Sequence, residues 1–187
     1  MLRAPFKVVL DANVLYPFTL RDTLIRAAED EFYQLYWSAE ILEETRRNLV
    51  ANAVMTEAKA SKLVRAMTSV FPEAMVSEYE QYIDAMKTDP KDRHVAAAAM
   101  KIGAQVIVTC NIKDFHDLPD GIEAQTPDEF LGNLYDLDPE RFVALLRQQS
   151  ADLKDPPVTF DALLQRLQKV APNLVSVVHC LLAAAPN

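Results

Sequence analysis

The chain has 187 residues, half of them hydrophobic and a quarter charged, which suits one domain with an appendage and allows a core without disulfide staples. The net charge of −8 argues against indiscriminate coating of nucleic acid, which needs a basic face, yet it is compatible with a site built from carboxylates. The two cysteines, Cys110 and Cys180, lie far apart, no leader pattern precedes the first strand, and no apolar run approaches the roughly 18 residues that span a bilayer. The expectation is a reduced, cytoplasmic protein that does not enter a membrane.

In chain order, Lys7–Leu10 (KVVL) reads as a short buried parallel strand that ends at Asp11-Ala12-Asn13. Arg21–Phe32 has helical spacing, and Leu35–Ser38 reads as a second strand whose Ser38 caps a helix over Ala39–Val50. Residues 56–71 form another helix, with Leu63, Met67 and Phe71 on one side, and 72–87 reads as mostly helical. Asp89 and Pro90 are placed as N-cap and first residue of a helix ending at Gly103. Gln105–Thr109 (QVIVT) is a further buried strand, and Ile122–Ala124 a weaker one. Thr126-Pro127-Asp128-Glu129 is a capping box opening a helix to about Leu134. From Asp136 onward two or three helical patterns are separated by Asp155-Pro156-Pro157 and Ala171-Pro172-Asn173. Alternating strands and helices predict a parallel sheet covered on both faces, with residues 1–135 as the catalytic domain and 136–187 as a helical extension.

In such sheets ligands bind beyond the carboxyl ends of the strands. Asp11 follows the first strand directly, and Asn111 and Asp114 follow QVIVT by two and five residues. Glu44 falls at the border of the inward stripe Ile41, Leu42, Thr45 and Leu49, whereas Glu43 lies farther toward solvent. Asp92 shares a face with Val95, Ala96 and Ala99, which points a carboxylate inward, where it needs a cation or donor. His94 rotates away from that face and is expected at the surface, and Cys110 is expected to be a small buried side chain. Arg46, Arg47, Lys87, Lys91, Arg93 and Lys113 lie within a few residues of these acids and could meet phosphate or simply be solvated.

Three blocks give the chain a resemblance to PIN-domain nucleases, the group that includes VapC-type toxins. They are Val9–Leu15 (VLDANVL), Ile41–Arg47 (ILEETRR), and Asp89–His94 (DPKDRH) followed by Val108–Phe115 (VTCNIKDF). The resemblance runs from about Val8 to Leu134. It implies a three-layer α/β/α sandwich and a divalent-metal ribonuclease with Asp11, Glu44, Asp92 and Asp114 as its acidic quartet. Asn13, Thr109 and Asn111 would stand behind them, Asn111 in the place where some relatives carry an acid. It further implies Mg²⁺ or Mn²⁺ as cofactor, an RNA substrate (tRNA or another structured RNA among the options), a cognate antitoxin and a homodimer. Hard oxygen ligands suit those ions, whereas zinc would usually want His or Cys. Two other readings compete: an aspartate-dependent phosphatase, which would usually want an acid where Asn13 stands, and a catalytically silent binding module.

Overall fold

The structure is a computed structural model that describes residues 6–184. By internal contacts the described residues divide into two compact units, one of residues 6–16 and 33–125, the other of 17–32 and 126–184.

The first unit is built on a five-stranded, all-parallel sheet in the order β3-β2-β1-β4-β5. Its strands are β1 (Lys7–Leu10), β2 (Gln34–Ser38), β3 (Met75–Val76), β4 (Val106–Val108) and β5 (Glu123–Gln125). Val8, Val9, Leu10, Ile107 and Val108 are fully buried, as expected for short β-branched runs covered on both faces. The chain steps outward from β1 through β2 to β3, then returns to place β4 on the other side of β1. The β1/β4 boundary is therefore the point where the winding reverses, and the crevice above such a point is where open parallel sheets bind ligands.

The unit's helices are α1 (Ala12–Leu15), α3 (Ala39–Ala51), α4 (Glu57–Val70) and α5 (Arg93–Ile102); α2 (Phe18–Glu29) belongs to the second unit. Helix α5 packs on β1, β2 and β4. Val95 and the run Ala96–Ala99 are all fully buried, since only small side chains allow so close an approach. It ends at Gly103 in the left-handed conformation (φ 63°), as its position in the sequence predicts.

The second unit also contains α6 (Pro127–Leu137), α7 (Pro139–Asp152), α8 (Phe160–Leu167) and α9 (Pro172–Ala184). The capping box at Thr126 and Glu129 is present, and the carboxylate of Asp128 accepts from the backbone of Asn173 and Leu174 at the start of α9. Thr23 and Gln149 are fully buried here, with Thr23 Oγ1 2.9 Å from Gln149 Oε1. The fold class is thus the expected α/β/α sandwich followed by C-terminal helices. No helix among the described residues is long and apolar enough to cross a membrane.

Two expected elements differ. The segment 72–87 is two 3-10 turns, Pro72–Ala74 and Glu80–Ala85, around the two-residue strand β3. The helix predicted from Asp89 begins only at Arg93, with Asp92 as its N-cap. Asp89 instead folds back on its own loop: Oδ1 accepts from Lys91 N at 3.2 Å and its carbonyl accepts from Asp92 N at 2.9 Å. An Asp-Pro pair can open a helix or a turn, and here it makes a turn.

Candidate active site

Asp11 leaves β1 at the sheet's reversal point and is 4% exposed. Its backbone N–H reaches across to Val108 O (3.1 Å), fixing the ends of β1 and β4 together. Oδ1 accepts from Ala12 N at 2.7 Å as the cap of α1. Oδ2 accepts from Asn13 Nδ2 at 2.6 Å and from Thr109 Oγ1 at 2.8 Å. Asn13 is held in turn, since its Oδ1 accepts from Cys110 N at 2.9 Å, and Asn111 N donates to Thr109 Oγ1 at 3.0 Å. Every atom of the Asp11 carboxylate is thereby oriented, by donors from both strand ends. Burial nevertheless raises its pKa to about 6, the Thr109 hydrogen bond opposing and Asp92 and Glu44 adding to the rise.

Asp92 stands at the start of α5. Its Oδ2 is buried without a hydrogen-bond partner, and Lys91 Nζ lies 3.8 Å from it. Burial lifts this carboxyl as well to about 6, against Lys91, with Asp114, Asp89 and Glu44 as repelling neighbours. Asp114 sits in the 3-10 turn Ile112–Phe115 that follows β4. Its carbonyl accepts from Asp89 N at 3.0 Å, tying that loop to the turn before α5, and its Oδ2 accepts from Lys91 Nζ at 3.0 Å. The Lys91 ammonium thus lies between two of the acids, and Asp114 leads the groups that hold its pKa up.

Glu44 and Asp92 line an open pocket of about 190 Å³ together with Glu40, Glu43, Arg47, Lys91 and His94. Asp11 and Asp114 are not among its lining residues, although Asp11 interacts electrostatically with Asp92 and Glu44, and Asp92 with Asp114. Among the described residues, no three His, Cys, Asp or Glu side chains form a ready ion-binding group. Repulsion links Asp11 with Asp92 and Glu44, and Asp92 with Glu44 and Asp114. Glu43 is exposed and paired with Arg46, whose guanidinium also meets Glu57, so this arginine is committed to the surface of α3 and α4.

Two expectations are corrected. His94 is buried, not on the surface: α5 is enclosed on every side over its first turns, from His94 to Ala99, so a helix-face argument finds no outward side there. Its Nδ1 lies 3.8 Å from Glu40 Oε2 and its Nε2 3.8 Å from Glu44 Oε2. Cys110, by contrast, is exposed, because the strand stops at Val108 and the chain has already turned outward. Reasoning from sequence also missed Glu40 and Tyr79, whose only signal is the four-residue spacing of Glu40 and Glu44 along one helix.

The fold agrees with the comparisons to known proteins. The PIN domain profile matches residues 7–113, and the chain belongs to the PIN-domain family. A second profile, the VapC50 C-terminal domain, matches residues 127–180. The chain is 40% identical over 101 residues to a Mycobacterium tuberculosis (strain H37Rv) protein described as "Putative ribonuclease VapC50", a match that covers 52% of this chain and 60% of that relative. The family resemblance is therefore to its VapC-type branch.

Proposed function

We propose that this chain is a divalent-metal-dependent ribonuclease, the toxin of a VapBC-type toxin–antitoxin pair acting in the cytoplasm. The observation that carries this reading is the buried carboxylate of Asp11 at the sheet's reversal point, with the half-buried Asp92 at the start of α5 and Glu44 close enough to repel it. Holding several such carboxylates ionised side by side costs free energy unless a positive charge joins them, and among the described residues Asp92 Oδ2 has no hydrogen bond to stand in for one. An all-carboxylate donor set fits Mg²⁺ or Mn²⁺, and we assign Asp11, Glu44, Asp92 and Asp114 to hold it. When bound, such an ion neutralises phosphodiester charge and lowers the pKa of water.

The chain's own residues supply the rest. Thr109, Asn13 and the Ala12 amide keep Asp11 in one orientation, so little reorganisation is needed when substrate arrives. Glu44 has a side chain 35% exposed at the pocket, where it can accept a proton from the attacking water. Water oxygen bonds to phosphorus, one P–O ester bond breaks, and the departing ribose oxygen takes a proton. Arg47 and Lys91 line the same pocket and offer cationic contacts to RNA phosphates. We place catalysis within residues 1–135 and give 136–187 a supporting role as a helical extension. A cognate antitoxin and a second copy of the chain are the partners this reading expects.

Purified protein incubated with structured RNA should cleave it with Mg²⁺ or Mn²⁺ and stop with chelator. Asp11→Asn should lower the rate about 100-fold or more, with an unchanged circular-dichroism spectrum. Cleavage that ignores chelator, or an Asp11→Asn variant as active as the parent, overturns the reading.

A further inference from the structure

We infer that His94 is a positioning residue that orients Glu44 for cation binding; the inference rests on the nuclease reading above. Glu40 and Glu44 are four residues apart on α3 and so share a face of that helix. The imidazole comes from α5 and spans both, with one ring nitrogen 3.8 Å from each carboxylate. The two arms are not equivalent. Glu40 Oε2 also accepts from the hydroxyl of Tyr79 at 3.3 Å, and Tyr79 is itself buried, so that carboxylate is anchored from a second element. Among the described residues, no hydrogen bond from another side chain reaches Glu44, which lines the pocket.

The ring is fixed by its surroundings. His94 is 6% exposed, and the residues that follow it on α5 are buried without exception as far as Ala99. Its Nδ1 nevertheless has no hydrogen-bond partner among the described residues. A side chain needed only to fill that space could be Leu or Met, with no polar nitrogen to desolvate. The two nitrogens face different carboxylates, and at 3.8 Å neither contact is a hydrogen bond. The arrangement instead suits a fixed N–H toward which Glu44 swings: a contact of 3.8 Å needs about 1 Å of closure to become a hydrogen bond. Groups that orient a ligating carboxylate in this way commonly govern metal affinity about 10- to 100-fold.

The chain has three histidines, and His116 and His179 are exposed, which makes the wild-type protein a direct test. Mg²⁺ is titrated into protein carrying ¹⁵N-labelled histidine, alongside calorimetry. The Nε2 resonance of His94 should move with the same saturation curve as the heat of binding, while that of His179, on α9, stays in place. Variants then separate the arms. Gln can present its amide nitrogen near Nε2, and Asn near Nδ1. His94→Gln should bind Mn²⁺ within about threefold of wild type, whereas His94→Asn and His94→Ala should bind about tenfold more weakly. In both weak variants kcat should fall with KM for RNA unchanged. A His94 resonance that ignores saturating Mg²⁺, or a folded His94→Ala that binds Mn²⁺ like wild type, overturns the proposal alone. A wild-type protein that binds neither ion overturns the nuclease reading and the role of His94 with it.

Discussion

Both units bury polar side chains, and they treat them differently. In the second unit Thr23 meets Gln149 at 2.9 Å and Ser150 Oγ donates to Val158 O at 2.7 Å. In the first, the buried atoms without a partner among the described residues include Trp37 Nε1, Thr88 Oγ1, Asp92 Oδ2 and His94 Nδ1, and Asp92 and His94 line the acid pocket. Satisfied polar groups specify a packing, whereas unsatisfied ones are retained at a cost of about 1–3 kcal/mol each. Such a cost persists where something outside the chain completes the group. The contrast is in keeping with the proposal that the ion is held in the first unit.

The sharpest way to break the contrast is pH. The folded-state values of Asp11 and Asp92, about 6, lie above the ordinary 3.8, so the metal-free fold holds extra protons between pH 4 and pH 6. Its stability should therefore fall as pH rises through that window. An ion must displace those protons. Each acid is about one-tenth ionised at pH 5 and nine-tenths at pH 7, so Mg²⁺ affinity should drop on the order of 100-fold from pH 7 to pH 5. Calorimetry in buffers of different ionisation heat should count about two protons released per ion at pH 5 and almost none at pH 7; a pH-independent affinity would contradict the assignment.

Next in size is Asp92→Asn. It removes a repelled, partly buried charge, so the metal-free melting temperature at pH 7 should rise by roughly a few degrees while Mg²⁺ affinity falls about tenfold or more. A variant that loses stability would mean that Asp92 serves the fold. Smaller again, Lys91→Met removes the ammonium that lies between Asp92 and Asp114. Lys91 is 62% exposed and solvent screens it, so Mg²⁺ affinity should rise only about threefold, as titration will report. The control comes from the other unit. Thr23→Val leaves Gln149 without its donor and should cost about 1–2 kcal/mol in urea denaturation, with Mg²⁺ affinity unmoved.

How much of this the sequence reveals depends on the range of the physics involved. The runs KVVL and QVIVT are local statements about burial, and they locate β1 and β4 within a residue or two. Asp11 is legible because an acid directly after a buried strand has few other reasons to be there. The capping box at Thr126 is legible because cap chemistry is complete within four residues. Strand β3 is not, since two residues carry no periodicity. The start of α5 is misread because Asp89-Pro90 satisfies two local rules, and a contact 25 residues away, Asp89 N to Asp114 O, accompanies the turn. That same contact brings Asp114 toward the other acids, and nothing near Asp114 in the sequence foretells it. His94 is misplaced because a single-face argument fails for a helix enclosed on all sides.

The alanine run of α5 has a consequence of its own. Ala96 to Ala99 let the helix axis ride close above β1, β2 and β4, and Asp92 and His94 are mounted at the end of that axis. The run acts as a shim of fixed thickness. Enlarging an alanine that faces the sheet to valine or leucine should lift the helix and shift Asp92 and His94 with it, so the calibre of the pocket depends on residues that own no chemistry.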